Sequence, residues 1–347
     1  MAQTADLAAQ RDGIVQSLAI ETPVFTADPA TALPWETEIR RTGAAYLRLH
    51  ISGADGPYGD GTMLKLRDRS AALVHEYPAA ELLERGPFWT VMIPGDYALL
   101  SLLEPTPGFH LRIDQIAFQA HGGAPLSTVG DDEKQPISDY ADDVLISRIE
   151  RPVAKLSFVK DGAPRTCTGF LIDTGQFMTN HHCIASADDC GSALAIFGYQ
   201  YDTTGLLSFG EQFACKAISD GKTSETLDYA ILDLDGNPAA TWGSLSLDEA
   251  DPDVIGPLLV IQHPAGQPKQ ISKINCAMDV VPVDGLEPQS DFTHSCDTVG
   301  GSSGSPVFDT EGRIVGLHHY GFAEGGPWSD NRAVRMKRIL EDLAAHP

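Results

Sequence analysis

Apolar and polar residues alternate along much of this chain in short runs, the period of a half-buried strand. Tyr46-Leu47-Arg48-Leu49-His50-Ile51 and Met63-Leu64-Lys65-Leu66-Arg67 show the pattern cleanly. Ala72 to Tyr77, Phe88 to Ile93, Tyr97 to Leu102 and His110 to Ile113 repeat it, with a turn signal at Pro94-Gly95-Asp96. Short strands between Gly/Pro turns predict a small β-sandwich over residues 36–120. Residues 1–35 read as a lead-in segment, with a short helix from Asp6 to Ile20 followed by Pro23, Pro29 and Pro34. Residues 121–144 are polar and turn-rich, the composition of a linker. A second all-β region fills 145–347. It closes on one helix from Asp330 to His346, where Val334, Met336, Ile339, Leu340 and Leu343 recur at roughly helical spacing.

The 347 residues leave room for these two domains. The formal net charge is −24, which repels nucleic acid and anionic membrane alike. No run of 18 apolar residues occurs, so no membrane-spanning helix is expected. Six cysteines (Cys167, Cys183, Cys190, Cys215, Cys276 and Cys296) all fall in the second region. An even number confined to one domain suggests disulfides and an oxidising compartment. The expectation is a secreted or periplasmic monomer whose signal peptide is absent from this sequence. The alternative is a cytoplasmic protein with free thiols. His181-His182-Cys183 offers metal ligands, but no Cys-x-x-Cys pair accompanies it, so no metal and no cofactor are expected.

Candidate chemistry lies in three places. Cys167 and Cys183 bracket a strand-turn-strand pattern that ends Thr179-Asn180-His181-His182-Cys183. Asp228 opens the apolar run Tyr229-Ala230-Ile231-Leu232; Asp233 and Asp235 continue the alternation and read as solvent-facing. Gly301-Ser302-Ser303-Gly304-Ser305-Pro306 suits a nucleophile on a tight turn, because glycine allows positive φ and close approach of a substrate. In the order His182, Asp228, Ser303, these motifs resemble the chymotrypsin-like serine endopeptidases of bacterial type. They are similar in detail to glutamyl endopeptidases and lysyl endopeptidase-like proteins.

The resemblance covers roughly residues 145–345. It implies an all-β double six-stranded barrel with a C-terminal helix, behind the N-terminal β-sandwich. It also implies a Cys167–Cys183 disulfide clamping the loop of the general base, His182, with His181 as the rival. Cys190–Cys215 and Cys276–Cys296 are the expected remaining pairs. Serine is a weak nucleophile at neutral pH and needs an adjacent base. The implied roles are Ser303 as nucleophile, His182 as base, Asp228 as its orienter, and the N–H groups of Gly301 and Ser303 as oxyanion hole. Ser302 stands where animal relatives carry the aspartate that pairs with a newly cut N-terminus. Activation by that ion pair is therefore not expected. Substrates are proteins or peptides.

Two specificity readings stay open. Asp297, six residues before Ser303, matches the basic-residue pocket of trypsin-type enzymes. Thr298 and His318 match the pair that grips a substrate carboxylate in glutamyl endopeptidases, with Tyr320 as a pocket wall. A non-catalytic binding protein on a peptidase fold is the rival from another class. Phe88-Trp89-Thr90 and Pro94-Gly95-Asp96 give the first 120 residues a looser likeness to regions preceding some bacterial trypsin-like and lysyl endopeptidase-like domains.

Overall fold

The computed structural model describes residues 9–26, 34–120, 132–247, 256–321 and 330–346. The chain divides into two compact units, one formed by Asp12–Gly122 with Lys160–Pro164, the other by the rest.

The first unit is a sandwich of two antiparallel sheets. One runs Ile14–Glu21, His110–Ala120, Ala44–Asp55, with Phe88–Trp89 and Ile93–Pro94 both on the edge of Ala44–Asp55; the other runs Trp35–Arg40, Tyr97–Leu103, Met63–Arg67, Leu73–Pro78. Alternate residues of both sheets, among them Leu47, Leu49, Ile51, Leu64, Leu66, Leu100 and Leu102, form one core. The lead-in helix expected over Asp6–Ile20 does not form among the described residues: Gln10–Arg11 and Ile14–Glu21 are two separate strands, the second paired with His110–Ala120, and Asp6 to Ala8 lie outside the described residues. Leu18 and Ile20, two apart, share one face of the strand and pack on the sandwich core, so pairing with a distant strand decides the conformation. The expected strand Phe88–Ile93 is interrupted. Thr90 N donates to Leu49 O and its side chain accepts from Leu49 N, so Thr90 holds the neighbouring strand by a side-chain contact instead of a ladder rung. Residues 121–131 of the expected linker lie outside the described residues.

The second unit holds two curved sheets. Val153–Lys160, Leu194–Tyr201, Leu207–Ser224, Tyr229–Leu234, Phe177–Thr179 and Ala163–Leu171 close on one another as a six-stranded barrel, because Ala163–Leu171 pairs with Phe177–Thr179 as well as with Val153–Lys160. Closure leaves no sheet edge within the ring. Gln10–Arg11 adds a short strand on Ala163–Leu171. The second sheet is an open, curled half-barrel. Its order is Gln135–Pro136, Gln270–Ser272, Leu258–Gln262, Pro306–Asp309, Ile314–Tyr320, Asn331–Arg335, Asp291–His294, Met278–Val283. Together they match the expected chymotrypsin-like double barrel, with the second barrel open and eight-stranded in place of a closed six-stranded one. A core that includes Phe170, Tyr229, Ile261, Phe308, Leu317 and Val334 joins the two barrels.

The C-terminal helix is shorter than expected. It spans Met336–Ala345, and Asn331–Arg335 is a strand between Ile314–Tyr320 and Asp291–His294. Val334 is fully buried there, in a strand of which only Arg332 is half-buried. All three expected disulfides are present: Cys167–Cys183, Cys190–Cys215 and Cys276–Cys296. No helix among the described residues is long and apolar enough to cross a membrane.

Candidate active site

The serine turn is held from both barrels. Thr168 N donates to Ser303 O (2.8 Å) and Thr168 Oγ1 to Gly301 O (2.9 Å), tying the turn to the closed barrel. Gly304 N donates to His318 O (2.8 Å) and His318 N to Ser305 O (2.9 Å), tying it to the half-barrel. Gly301 has φ 97°, and a Cβ there would come within 2.9 Å of His263 O. At Gly304, with φ 85°, a Cβ would lie 2.1 Å from Thr168 O. Only glycine fits these two places, and Ser303 projects half-buried between them.

Ser302 is fully buried. Its hydroxyl donates to Gln262 Oε1 and accepts from Val299 N at 3.1 Å. A neutral, satisfied side chain thus occupies the place of the animal aspartate. This turn is braced by Gln262, which also donates to Asp297 O (2.8 Å).

His182 and Asp228 meet across the closed barrel. His182 Nδ1 lies 2.8 Å from Asp228 Oδ2, and His182 N donates to Asp228 Oδ1 at 2.9 Å. Two contacts from one residue fix the carboxylate to ring and backbone together. Asp228 sits at φ 45°, a left-handed conformation costing about 1–3 kcal/mol, and its own carbonyl accepts from Asn180 Nδ2 (2.8 Å). The neighbouring His181 turns away, its Nδ1 2.9 Å from Thr223 Oγ1. Asp233 is partly buried and accepts from Gln176 Nε2 and Ser219 Oγ; Asp235 is exposed. The Cys167–Cys183 disulfide fastens the His182 loop to the strand that carries Thr168. Closing a loop of this size contributes about 3 kcal/mol.

Behind Asp228 lies a group to which the sequence motifs assign no role. His319 Nδ1 is 3.4 Å from Asp228 Oδ2, and its Nε2 is 2.8 Å from Asp291 Oδ2. Asp291 Oδ1 accepts from Ser290 Oγ at 2.6 Å. All these side chains are buried. Burial by itself lowers the affinity of His319 for a proton, but the charges of Asp291 and Asp228 and the Asp291 hydrogen bond outweigh it and raise its pKa to about 9; the 3.4 Å approach to Asp228 is an ion pair without hydrogen-bond geometry. Burial alone would raise Asp228, but His182 and His319 overcome it and hold the carboxyl well below the usual range.

A pair of histidines joins two strands of the half-barrel, and the backbone of one of them, His318, is bonded to the serine turn. His294 Nε2 and His318 Nδ1 are 3.1 Å apart. Burial lowers both, His294 to about 3 and His318 well below its ordinary value, and the nearby histidines push in the same direction. In the neutral pair, a His294 Nε2–H donated to His318 Nδ1 leaves His318 with a proton on Nε2. Thr298 Oγ1 is fully buried without a hydrogen-bond partner among the described residues. Tyr320 is buried beside His319, ring centroids 3.7 Å apart. Asp297 is buried too, but its Oδ2 accepts from Glu133 N at 2.8 Å.

The sequence motifs did not contain His294 or Asp291. Both lie on Asp291–His294, a strand buried at all four positions, so an acid and a histidine there face protein on either side. A polar residue pair within a wholly buried strand is the available signal.

These titrations predict a pH-dependent stability. Protonated His319 stabilises the fold fully below pH 6.5, and that contribution is lost as pH rises through about 9. His294 and His318 act oppositely: folded neutral, they cost stability as pH falls below 6.5. Denaturant unfolding should therefore show wild-type stability falling between pH 6.5 and 9, with a shallower fall in His319→Gln. Parallel curves for the two proteins would contradict this assignment.

Residues 167–317 match the family model of the trypsin-like peptidase domain. The chain carries a trypsin-like peptidase domain. It is 30% identical to the uncharacterised protein y4fB of Sinorhizobium fredii over 255 residues, covering 68% of this chain and 37% of that protein. It is 27% identical to an extracellular metalloprotease of Bacillus subtilis over 211 residues, 57% of this chain and 63% of the relative. The chain thus spans less than two thirds of these relatives. Among solved structures, a Glu endopeptidase bound to MPD matches 63% of this chain and 98% of its own, with 19% identity and a TM-score of 0.46. A metal does not fit the peptidase domain's one candidate ligand group among the described residues. That group is Cys167, His182 and Cys183, and its two sulfurs are bonded to each other.

Proposed function

We propose that the protein is a secreted serine endopeptidase that cleaves after acidic residues. The observation that carries the catalytic reading is the buried, doubly bonded His182–Asp228 pair on the closed barrel, whose strand Ala163–Leu171 is tied to the His182 loop by Cys167–Cys183 and holds the Ser303 turn through Thr168. Ser303 Oγ attacks the scissile carbonyl while His182 takes its proton. Asp228 fixes the imidazole tautomer and balances the imidazolium. The N–H groups of Gly301 and Ser303 receive the oxyanion, each worth about 3 kcal/mol in the transition state. The C–N bond breaks, His182 returns the proton to the leaving amine, and water repeats the sequence on the acyl-enzyme. Satisfied Ser302 makes a newly cut N-terminus unnecessary for this arrangement. Three disulfides favour an oxidising compartment.

The acidic preference rests on His318 and Thr298. His318 carries an N–H donor with no positive charge of its own, and Thr298 brings an unspent hydroxyl. In this reading a substrate carboxylate accepts from both. Asp297 opposes the basic-residue reading because its carboxylate already accepts from Glu133 N–H. Fluorogenic peptides differing only before the scissile bond test the preference. Glu should exceed Lys by at least about tenfold in kcat/KM, and His318→Ala or Thr298→Val should remove about 1–3 kcal/mol of that discrimination. Equal cleavage after Glu and Lys would refute it.

A further inference from the structure

The proposed triad uses one side of Asp228. Its other side faces a buried histidine that is itself held by a second buried carboxylate. We propose that His319 and Asp291 extend the triad, with His319 as a positioning residue that grips Asp228 from behind and Asp291 holding His319 in place. This rests on the serine-peptidase reading above.

The geometry is a chain of alternating partners. His182 Nδ1 is 2.8 Å from Asp228 Oδ2, that same oxygen is 3.4 Å from His319 Nδ1, and His319 Nε2 is 2.8 Å from Asp291 Oδ2. Each link comes from a separate element: the loop after Phe177–Thr179, the residue before Tyr229–Leu234, the strand Ile314–Tyr320 and the strand Asp291–His294. None of the four side chains is more than one tenth exposed. Two buried carboxylates with no cation between them repel and lack solvation. A protonated His319 removes both penalties, consistent with its raised pKa.

The charges explain what the arrangement does for catalysis. At rest the chain reads neutral His182, anionic Asp228, cationic His319, anionic Asp291, a net charge of −1. When His182 takes the Ser303 proton, charges alternate along the chain and sum to zero. Without His319 the resting charge is −2. Protonation of His182 then comes too easily, and the base is consumed before Ser303 can use it. Other groups facing His319 leave this balance unchanged. His294 and His318 are neutral through burial, Tyr320 is held un-ionised, and Arg332 acts on Asp291 and Tyr320 from the adjoining strand.

The test is the rate at which a fluorophosphonate phosphonylates Ser303, followed from pH 5 to 9. The reagent forms a P–O bond to Ser303 Oγ, expels fluoride and needs no knowledge of the natural substrate. His319→Gln should move the acidic limb of the profile up by about one pH unit. The double variant His319→Gln/Asp291→Asn restores the resting charge of −1, and its limb should return toward the wild type. A packing role predicts no such return. A His319→Gln limb superimposed on the wild type, or a double variant shifted as far as the single one, would overturn the proposal. Should the variants not fold, nitrogen NMR of the wild type decides. One of the eleven histidines should remain doubly protonated at pH 8, and its absence would equally overturn the proposal. Absence of any wild-type labelling would instead refute the serine-peptidase reading.

Discussion

Replacing Ser303 with alanine should abolish peptide hydrolysis, with kcat falling about 10^4- to 10^6-fold. The expected loss is large because base and orienter have no proton to take once the hydroxyl is gone. Any residue of activity would come from the oxyanion hole and substrate binding. The fold should survive. Ser303 is only partly buried, and the turn is held by its backbone and by the Thr168 and Gln262 contacts, none of which uses the Ser303 hydroxyl. Steady-state kinetics beside a thermal melt would check both halves. Retention of more than about one per cent of wild-type kcat in a folded variant would remove Ser303 from the mechanism.

Asp228→Asn should cost about 10^4-fold in kcat while leaving KM within a few-fold. The amide preserves shape but offers His182 Nδ1 either an N–H, which cannot pair with a protonated Nδ1, or a neutral oxygen. In either case the carboxylate charge that balances the imidazolium is lost. In this protein a further consequence follows from His319. Asp228 and Asp291 share that cation, so the variant removes one of its two acidic partners. The pKa of His319 should fall below about 9. The kinetic loss and the drop in His319 titration should appear together. A variant with near-normal kcat would show that Asp228 does not orient His182.

Much of this was legible along the chain for a physical reason. Alternation reports strands wherever one face is buried, and it located Met63–Arg67 without error. The spacing of Cys167 from Cys183 and the glycines around Ser303 are local constraints, so a linear pattern carries them. Failures arose where partners are distant. Ile14–Glu21 is a strand because His110–Ala120 lies beside it, which no local window contains. Asn331–Arg335 reads locally as the start of the helix, because its strand partners come from 291–294 and 316–320. The His319–Asp291 and His294–His318 pairs join segments 28 and 24 residues apart, and no turn or disulfide marks their spacing. Ser302 shows the intermediate case. Its identity was visible as a departure from the family pattern, but its hydrogen bond to Gln262 belongs to the folded chain.

The central claim is that the hydroxyl of Ser303, and no other, is activated by His182 in the folded protein. Its most direct test is a fluorophosphonate reaction with native wild-type protein at neutral pH, followed by peptide mass mapping. Stoichiometric modification should appear at Ser303 and be lost on prior unfolding and in His182→Ala. Native protein that stays unmodified, or that carries the label on another residue, would contradict it.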